Sequence, residues 1–154
     1  NISSQILVKF LRLKNLNKNF KELILMFQKE VGEKIIGNTT SHYGRLSILR
    51  DYKLKILKKF LVSNNCFSPK PTVQSMVIKF KPKNMDGKKI KKILNLEKIT
   101  NILFSNKRKM INKSLKKILS DDKIKLISDI TLDSRPVNIK PEIYYKITEL
   151  YELK

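Results

Sequence analysis

Apolar side chains recur along this sequence at two spacings, one typical of helices and one typical of strands. In residues 2–13 they lie three and four positions apart, at Ile6, Leu7, Phe10 and Leu11. This spacing predicts an amphipathic helix at the start of the chain. A second, shorter helix is expected over residues 30–36 and should stop at Gly37, because glycine commonly follows the last turn of a helix.

Three segments of the first 82 residues predict strands. Residues 23–27 form a continuous apolar run of strand length, which is typical of a buried parallel strand. Residues 54–62 are rich in Ile, Leu and Phe and predict a second strand. Residues 76–80 alternate between two faces, and Pro82 should end that strand because proline has no N–H for the ladder. The pattern therefore indicates an α/β part.

A polar, basic segment over residues 83–92 separates this part from the remainder of the chain. It contains Asp86-Gly87, a turn-forming pair. Beyond it the apolar spacing is helical only, and helices are expected near residues 96–103, 111–118, 121–127 and 141–151. We therefore predict two domains, an α/β domain over 1–82 and an all-α domain over 83–154.

The charge balance adds a class of partner to this picture. Lys and Arg number 34 against 13 Asp and Glu, which gives a formal net charge of +21 and a pI near 10.1. A lysine-rich, low-GC genome would spread lysine evenly, but residues 81–119 hold 13 basic and 2 acidic side chains, whereas 120–154 hold 6 and 7. This uneven distribution favours nucleic-acid binding.

Several kinds of site are disfavoured by what the sequence contains. The one cysteine, Cys66, and the one histidine, His42, cannot supply a disulfide, a zinc site or a credible catalytic triad, and no metal site is expected. No apolar run reaches the roughly 18 residues that span a bilayer. We expect a reducing compartment, with the cytoplasm preferred and the mitochondrion or another organelle as the alternative. The residues alone indicate a basic nucleic-acid-binding module and leave any enzymatic role open.

Six short motifs, taken in order, point to a family. They are Asn1-Ile-Ser-Ser, Gln28-Lys-Glu-Val31, Tyr43-Gly-Arg-Leu-Ser47, Phe67-Ser-Pro-Lys-Pro-Thr-Val-Gln-Ser75, Phe104-Ser-Asn-Lys-Arg-Lys109 and Asn112-Lys-Ser-Leu115. In this order and spacing they resemble the rRNA adenine N6-dimethyltransferases that act on small-subunit rRNA. The resemblance implies the C-terminal half of a Rossmann-like, seven-stranded methyltransferase sheet, followed by a small all-α domain.

The same resemblance implies an activity for the complete protein. The family uses S-adenosyl-L-methionine to dimethylate two adjacent adenosines near the 3′ end of small-subunit rRNA during ribosome maturation. The expected partner is that rRNA or the immature small subunit, with no membrane. The alternative is a non-catalytic relative that binds RNA or DNA, such as a ribosome assembly factor or a protein of the mitochondrial transcription factor B type.

The start of the chain fits a particular place in the family's sequence. Asn-Ile-Ser directly follows the family's catalytic tetrapeptide Asn-Leu-Pro-Tyr, so Asn1 is expected to adjoin catalytic residues that this chain lacks. The cofactor site should then lie in the missing N-terminal half, which could also exist as a separate chain and partner. We expect no cofactor-binding residue in this chain, no activity of the chain alone, and an exposed apolar edge on residues 23–27.

The resemblance also assigns roles to individual residues. Phe67 matches the aromatic ring that is thought to lie over the flipped target adenine, and Pro69 and Pro71 would fix the backbone around it. The alternative is that Phe67 is a core residue under a proline turn. Gln28, Lys29 and Pro69 are weaker candidates for the rim of the adenine pocket. Gln28 and Lys29 lie at the carboxyl end of a predicted strand, where α/β sheets place ligands. The competing interpretation is that these two residues only end the strand and start the next helix.

A basic cluster provides the candidate RNA-binding residues. They are Lys107, Arg108, Lys109, Asn112, Lys113 and Lys116. A run of charge often forms only a solvated face, but the excess of positive charge in this segment favours contact with phosphates. Family members commonly have two consecutive arginines where Asn106-Lys107-Arg108 stands. Because lysine makes point contacts and not bidentate ones, looser discrimination among RNAs is expected.

Overall fold

The computed structural model describes residues 2–37, 43–128 and 130–153. Within these ranges the chain forms three strands, β1 Leu23–Gln28, β2 Leu54–Val62 and β3 Ser75–Pro82. The helices preceding β3 are α1 Ile2–Arg12, α2 Leu16–Asn19, α3 Lys29–Ile36 and α4 Arg45–Lys53. Those following it are α5 Ile93–Phe104, α6 Asn112–Lys116, α7 Asp121–Lys125 and α8 Pro141–Glu152. Every predicted strand is present, and α2 is a helix that the spacing did not predict.

The three strands form one sheet with β3 in the middle. β3 is antiparallel to both β1 and β2, so the order is β1-β3-β2. Because both outer strands run opposite to β3, they run parallel to each other and end at the same edge of the sheet. The chain is α/β in this part and helical after it, as expected.

One face of the sheet is covered by helices α1, α3 and α4. The alternating side chains Met76, Ile78 and Phe80 of β3 are buried on this face, as their spacing predicted. Gly32 of α3 lies against Met76, where an added Cβ would come within 2.8 Å of the methionine sulfur. The absence of a side chain at Gly32 therefore lets α3 pack closely on the sheet.

The other face of the sheet is uncovered among the described residues. Met26, Val77 and Phe60 lie side by side across the three strands on this face. Met26 is 49% exposed, Phe60 52% and the neighbouring Ile24 64%. Among the described residues β1 pairs with an antiparallel neighbour and has no layer over its second face, so the prediction of a buried parallel strand is wrong. The exposed apolar edge expected of residues 23–27 is confirmed.

The helical part packs around α5 and α8. Leu96, Ile99 and Leu103 of α5 are buried, as their spacing predicted. On α8, which begins at Pro141 as expected, the largest buried side chain is Tyr144. The helix expected near 111–118 is shorter, and the turn over 105–110 separates it from α5. Buried residues of both parts form one continuous core, while the division at residue 82 stays a prediction.

Polar contacts join the two parts at specific points. Arg12 of α1 holds Glu97 of α5 through two hydrogen bonds of 3.0 and 2.8 Å. The hydroxyl of Tyr145 donates to Asp51 Oδ2 at 3.1 Å, and burial, together with the negative charge of Asp51, raises the pKa of Tyr145 well above its usual range. These contacts fix the orientation of α5 and α8 relative to the sheet.

No helix in the described ranges has the length and apolarity that crossing a membrane requires.

We predict that Tyr145→Phe destabilises the chain by about 1–2 kcal/mol, since a hydrogen bond to a carboxylate is lost inside the structure. Tyr151→Phe is the matched control, because its hydroxyl bonds only to Lys98 Nζ at the surface. The control should change stability by less than about 0.5 kcal/mol. Urea unfolding midpoints measure both, and equal midpoints for the two variants would mean that the Tyr145–Asp51 contact does not stabilise the fold.

Candidate nucleic-acid site

The carboxyl ends of β1 and β2 meet at one edge of the sheet. Gln28 and Val62 both lie opposite Ser75, so the three residues form a row at that edge. The backbone N–H of Lys29 donates to the carbonyl of Gln74 at 2.8 Å, and its Nζ reaches Gln74 Oε1 at 3.4 Å. The structure thus brings the weaker candidates Gln28 and Lys29 against the loop that carries Phe67. Ligands in open α/β sheets bind at such edges.

Phe67 lies in the loop that leaves this edge after β2. One turn of 3₁₀ helix, Asn64–Cys66, follows the strand, and the Phe67 N–H donates to the Asn64 carbonyl at 3.3 Å. The Phe67 side chain is partly exposed and does not belong to the hydrophobic core. Pro69 is exposed, and Pro71 is partly buried. The loop therefore holds an aromatic ring at the surface of the edge where β1 and β2 end.

Two further features of this loop differ from, or add to, what the sequence indicated. Cysteine is commonly a small buried hydrophobic residue, which is the prediction for Cys66 from its type; it is exposed here, because the 3₁₀ turn lies outside the core. Asn64 Oδ1 is buried and has no hydrogen-bond partner among the described residues. No pattern in the sequence predicts this acceptor beside Phe67.

Asn1, expected to adjoin the catalytic tetrapeptide, and His42 lie outside the described residues.

The basic cluster forms a local surface between α5 and α6. Lys107, Arg108 and Lys109 are all exposed in the turn after α5, and none forms an ion pair with a described residue. Backbone bonds fix this turn: Lys109 N–H donates to Asn106 at 2.8 Å, and Ile111 N–H donates to Ser134 at 3.0 Å. Three cations on a fixed turn can meet neighbouring phosphates.

The remaining predicted members of the cluster lie on α6. Lys113 is exposed, while Lys116 is exposed but forms an ion pair with Asp121 at 3.5 Å. Asn112 is partly buried, and its Oδ1 has no hydrogen-bond partner. The structure therefore places all six residues together, with the most accessible unpaired charge in the turn over 105–110.

The four glycines lie at separate turns and packing contacts among the described residues. Gly37 and Gly87 have φ of 75° and 76°, the first after α3 and the second in a turn of the basic segment. Gly44 precedes α4, where its N–H donates to Ser47 Oγ at 3.0 Å. With Gly32 packed on Met76, each glycine has a local structural role. The described residues also contain no group of three or more His, Cys, Asp or Glu side chains that could hold a metal ion.

Comparison with known proteins identifies relatives over the whole chain. The family model described as "Ribosomal RNA adenine dimethylase" matches residues 1–153. "Ribosomal RNA small subunit methyltransferase A" of Pelagibacter ubique is 41% identical over 99% of this chain, and the protein of the same name from Malacoplasma penetrans is 38% identical over 99%. The matches cover 58% and 56% of these relatives, so the chain spans little more than half of their length.

Solved structures show the same fold. A dimethyladenosine transferase from Plasmodium falciparum has a TM-score of 0.69 at 23% identity, over 95% of this chain and 62% of its own. The 23S rRNA methyltransferase ErmE has a TM-score of 0.65 at 17% identity, over 99% and 62%. At these identities the likeness concerns the fold alone, which is the α/β fold of these methyltransferases with helices following the sheet.

The exposure of Cys66 allows a direct check of the loop geometry. We expect its thiol to react with a maleimide or aromatic disulfide reagent within about tenfold of the rate in concentrated urea, since access controls thiol reactivity. The single cysteine makes the measurement unambiguous. Strong protection in the native chain, released only on unfolding, would contradict the placement of this loop at the surface.

Proposed function

The chain belongs to the ribosomal RNA adenine dimethylase family, and we propose that it forms the RNA-holding part of an S-adenosylmethionine-dependent rRNA (adenine-N6,N6)-dimethyltransferase. The complete protein is the proposed enzyme. Its proposed substrate is small-subunit rRNA in the maturing subunit, because the relatives that match the chain are named for methylation of that rRNA. Two adjacent adenosines near the 3′ end are the proposed target, and the cytoplasm is the proposed compartment.

The observation that carries this proposal is the position of Phe67. Its ring is partly exposed at the sheet edge where β1 and β2 end, outside the hydrophobic core. An enzyme that modifies a base must take it out of the stack, which costs a few kcal/mol. Stacking on an aromatic face recovers about 1–3 kcal/mol. We assign Phe67 to this stacking, and the unpartnered Asn64 Oδ1 beside it is a candidate acceptor for a polar edge of the base.

The contribution of this chain to catalysis would be positioning. The edge formed by Gln28, Lys29 and residues 63–74 contains no Asp, Glu or His side chain that would serve as a general base. Holding two reactants in a productive geometry can lower a barrier substantially without proton transfer by the protein. The side chains at this edge could orient the adenine amine by stacking and by hydrogen bonding.

The cofactor site and the rest of the sheet are proposed to lie in polypeptide outside these 154 residues, on the same chain or on a separate one. The glycines at positions 32, 37, 44 and 87 do not have the close spacing of a glycine-rich cofactor loop, and the chain spans 58% of a relative. Further strands would pair with the outer edge of β1 to complete a seven-stranded sheet, and further polypeptide would pack on the uncovered face with Met26, Val77 and Phe60. We retain residues 1–82 and 83–154 as the proposed domains.

We predict that, in the complete protein, Phe67→Ala leaves S-adenosylmethionine binding unchanged and lowers methyl transfer to rRNA by about 5- to 150-fold, the loss of one stacking contact. Phe67→Tyr keeps a ring and should retain most of the activity. Val73→Ala is the control, since Val73 is an exposed residue of the same loop. Radioactive methyl incorporation and calorimetric cofactor titration give the two readouts. Full activity of Phe67→Ala would exclude the stacking role.

The basic turn makes a separate prediction about affinity. Changing Lys107, Arg108 and Lys109 to Glu should reduce the slope of log affinity against log salt by about 2, because phosphate contacts release counterions. Changing Lys55, Lys58 and Lys59 to Glu alters the net charge equally on the exposed edge strand β2 and is the matched control. Anisotropy of a labelled rRNA fragment gives both slopes. If the two triple variants have the same slope, the turn is not the RNA contact.

A further inference from the structure

A cavity of about 450 Å³ lies where the two halves of the chain meet, at the opposite end of the sheet from Phe67. It is enclosed by the end of α1, the end of α4, the segment 83–92 and the first residues of α5. We call it the linker pocket. β2 separates its wall at Lys53 from the loop after Val62, and a strand of nine residues is roughly 30 Å long. The linker pocket is therefore distinct from the candidate adenine site.

The charge on the walls of the linker pocket is positive. Six Lys and Arg side chains line it, and no Asp or Glu does. Two of the six are occupied, since Arg12 bonds to Glu97 and Lys53 Nζ donates to the Leu13 carbonyl at 2.7 Å. The other four are exposed and form no ion pair with a described residue: Lys14, Lys88, Lys91 and Lys92. Four ammonium groups around one cavity favour a phosphate-bearing ligand.

The remaining walls are apolar and aromatic. Met85, Ile93 and Leu94 line the cavity, and Leu94 is 54% exposed. The ring of Tyr52 lies beneath Lys88, whose Nζ is 5.9 Å from the ring centre. A phosphate alone gains nothing from walls of this kind, whereas the apolar face of a nucleic-acid base is stabilised by contact with them.

We propose that the linker pocket binds an unpaired nucleotide of the RNA, with its base against Met85 and Leu94 and its phosphate among Lys14, Lys88 and Lys91. This inference rests on the proposed RNA-binding function and adds a second contact at the far end of the sheet. The volume lies within the range of small-molecule sites, about 300–1,000 Å³. An RNA that contacts both the linker pocket and the sheet edge near Phe67 gains affinity, because once one contact forms the second is made within the same complex.

The test uses the 154-residue chain and an oligoribonucleotide that contains the photoreactive base 4-thiouridine. After irradiation, mass spectrometry should find crosslinked peptides from residues 85–94. Leu94→Glu puts a negative charge into the cavity and should lower affinity for the oligonucleotide about tenfold, with loss of those crosslinks. Leu126→Glu, at a leucine of similar exposure on α7's C-terminal side, is the control and should cost about twofold at most.

The possible outcomes distinguish failure of the linker-pocket inference from failure of the proposed RNA-binding function. If RNA binds but the crosslinks lie elsewhere and the two Leu→Glu variants bind equally, the linker pocket is not a nucleotide site, while the proposed function stands. If 4-thiouridine monophosphate labels the pocket and excess RNA does not compete, the site takes free nucleotides, and the inference is wrong. If the chain binds no RNA even at low salt, the proposed function fails with it. Circular dichroism melting of both variants verifies that they fold.

Discussion

The position of β3 between β1 and β2 is the constraint on which the arrangement of this chain depends. Because β3 hydrogen-bonds to both neighbours in antiparallel register, β1 and β2 end at one edge of the sheet. The loop after β2 must then lie beside the start of α3, where Lys29 bonds to Gln74. The same pairing puts Pro82 and the basic segment at the opposite end. One strand thus separates the aromatic loop from the linker pocket.

The chain divides two physical tasks between its halves. The sheet edge offers a partly exposed ring and polar groups but no Asp, Glu or His, which suits positioning of a nucleic-acid base. The basic segment, α5 and α6 carry the charge that attracts a phosphate backbone, with strong salt dependence. Contacts such as Arg12–Glu97 and Tyr145–Asp51 hold these surfaces in a fixed relation. Under the proposed function, an RNA bound to the helical half would be presented to the sheet edge at a defined distance.

Local periodicity predicted most elements, and long-range effects account for the exceptions. The alternation in β3 and the stripe on α5 each bury one side, so the sequence shows them directly. The exposure of Ile24 did not follow from the apolar run, which is typical of a buried strand; it was predicted only from the resemblance, which implies that the neighbouring part of the sheet lies outside this chain. The turn over 105–110 has neither Gly nor Pro, but the break in apolar spacing after Leu103 predicted the end of α5 within one residue. The buried Asn64 Oδ1, without a hydrogen-bond partner among the described residues, is a property of packing, which a sequence pattern does not report.

The most direct test of this account is chemical analysis of small-subunit rRNA from unmethylated particles. The particles are incubated with S-adenosylmethionine and the complete protein that contains this chain, and their nucleosides are then separated by mass. We expect N6,N6-dimethyladenosine at two adjacent positions near the 3′ end, and none when the 154-residue chain is used alone. A complete protein that binds the particles and the cofactor but leaves every adenosine unmodified would contradict the account.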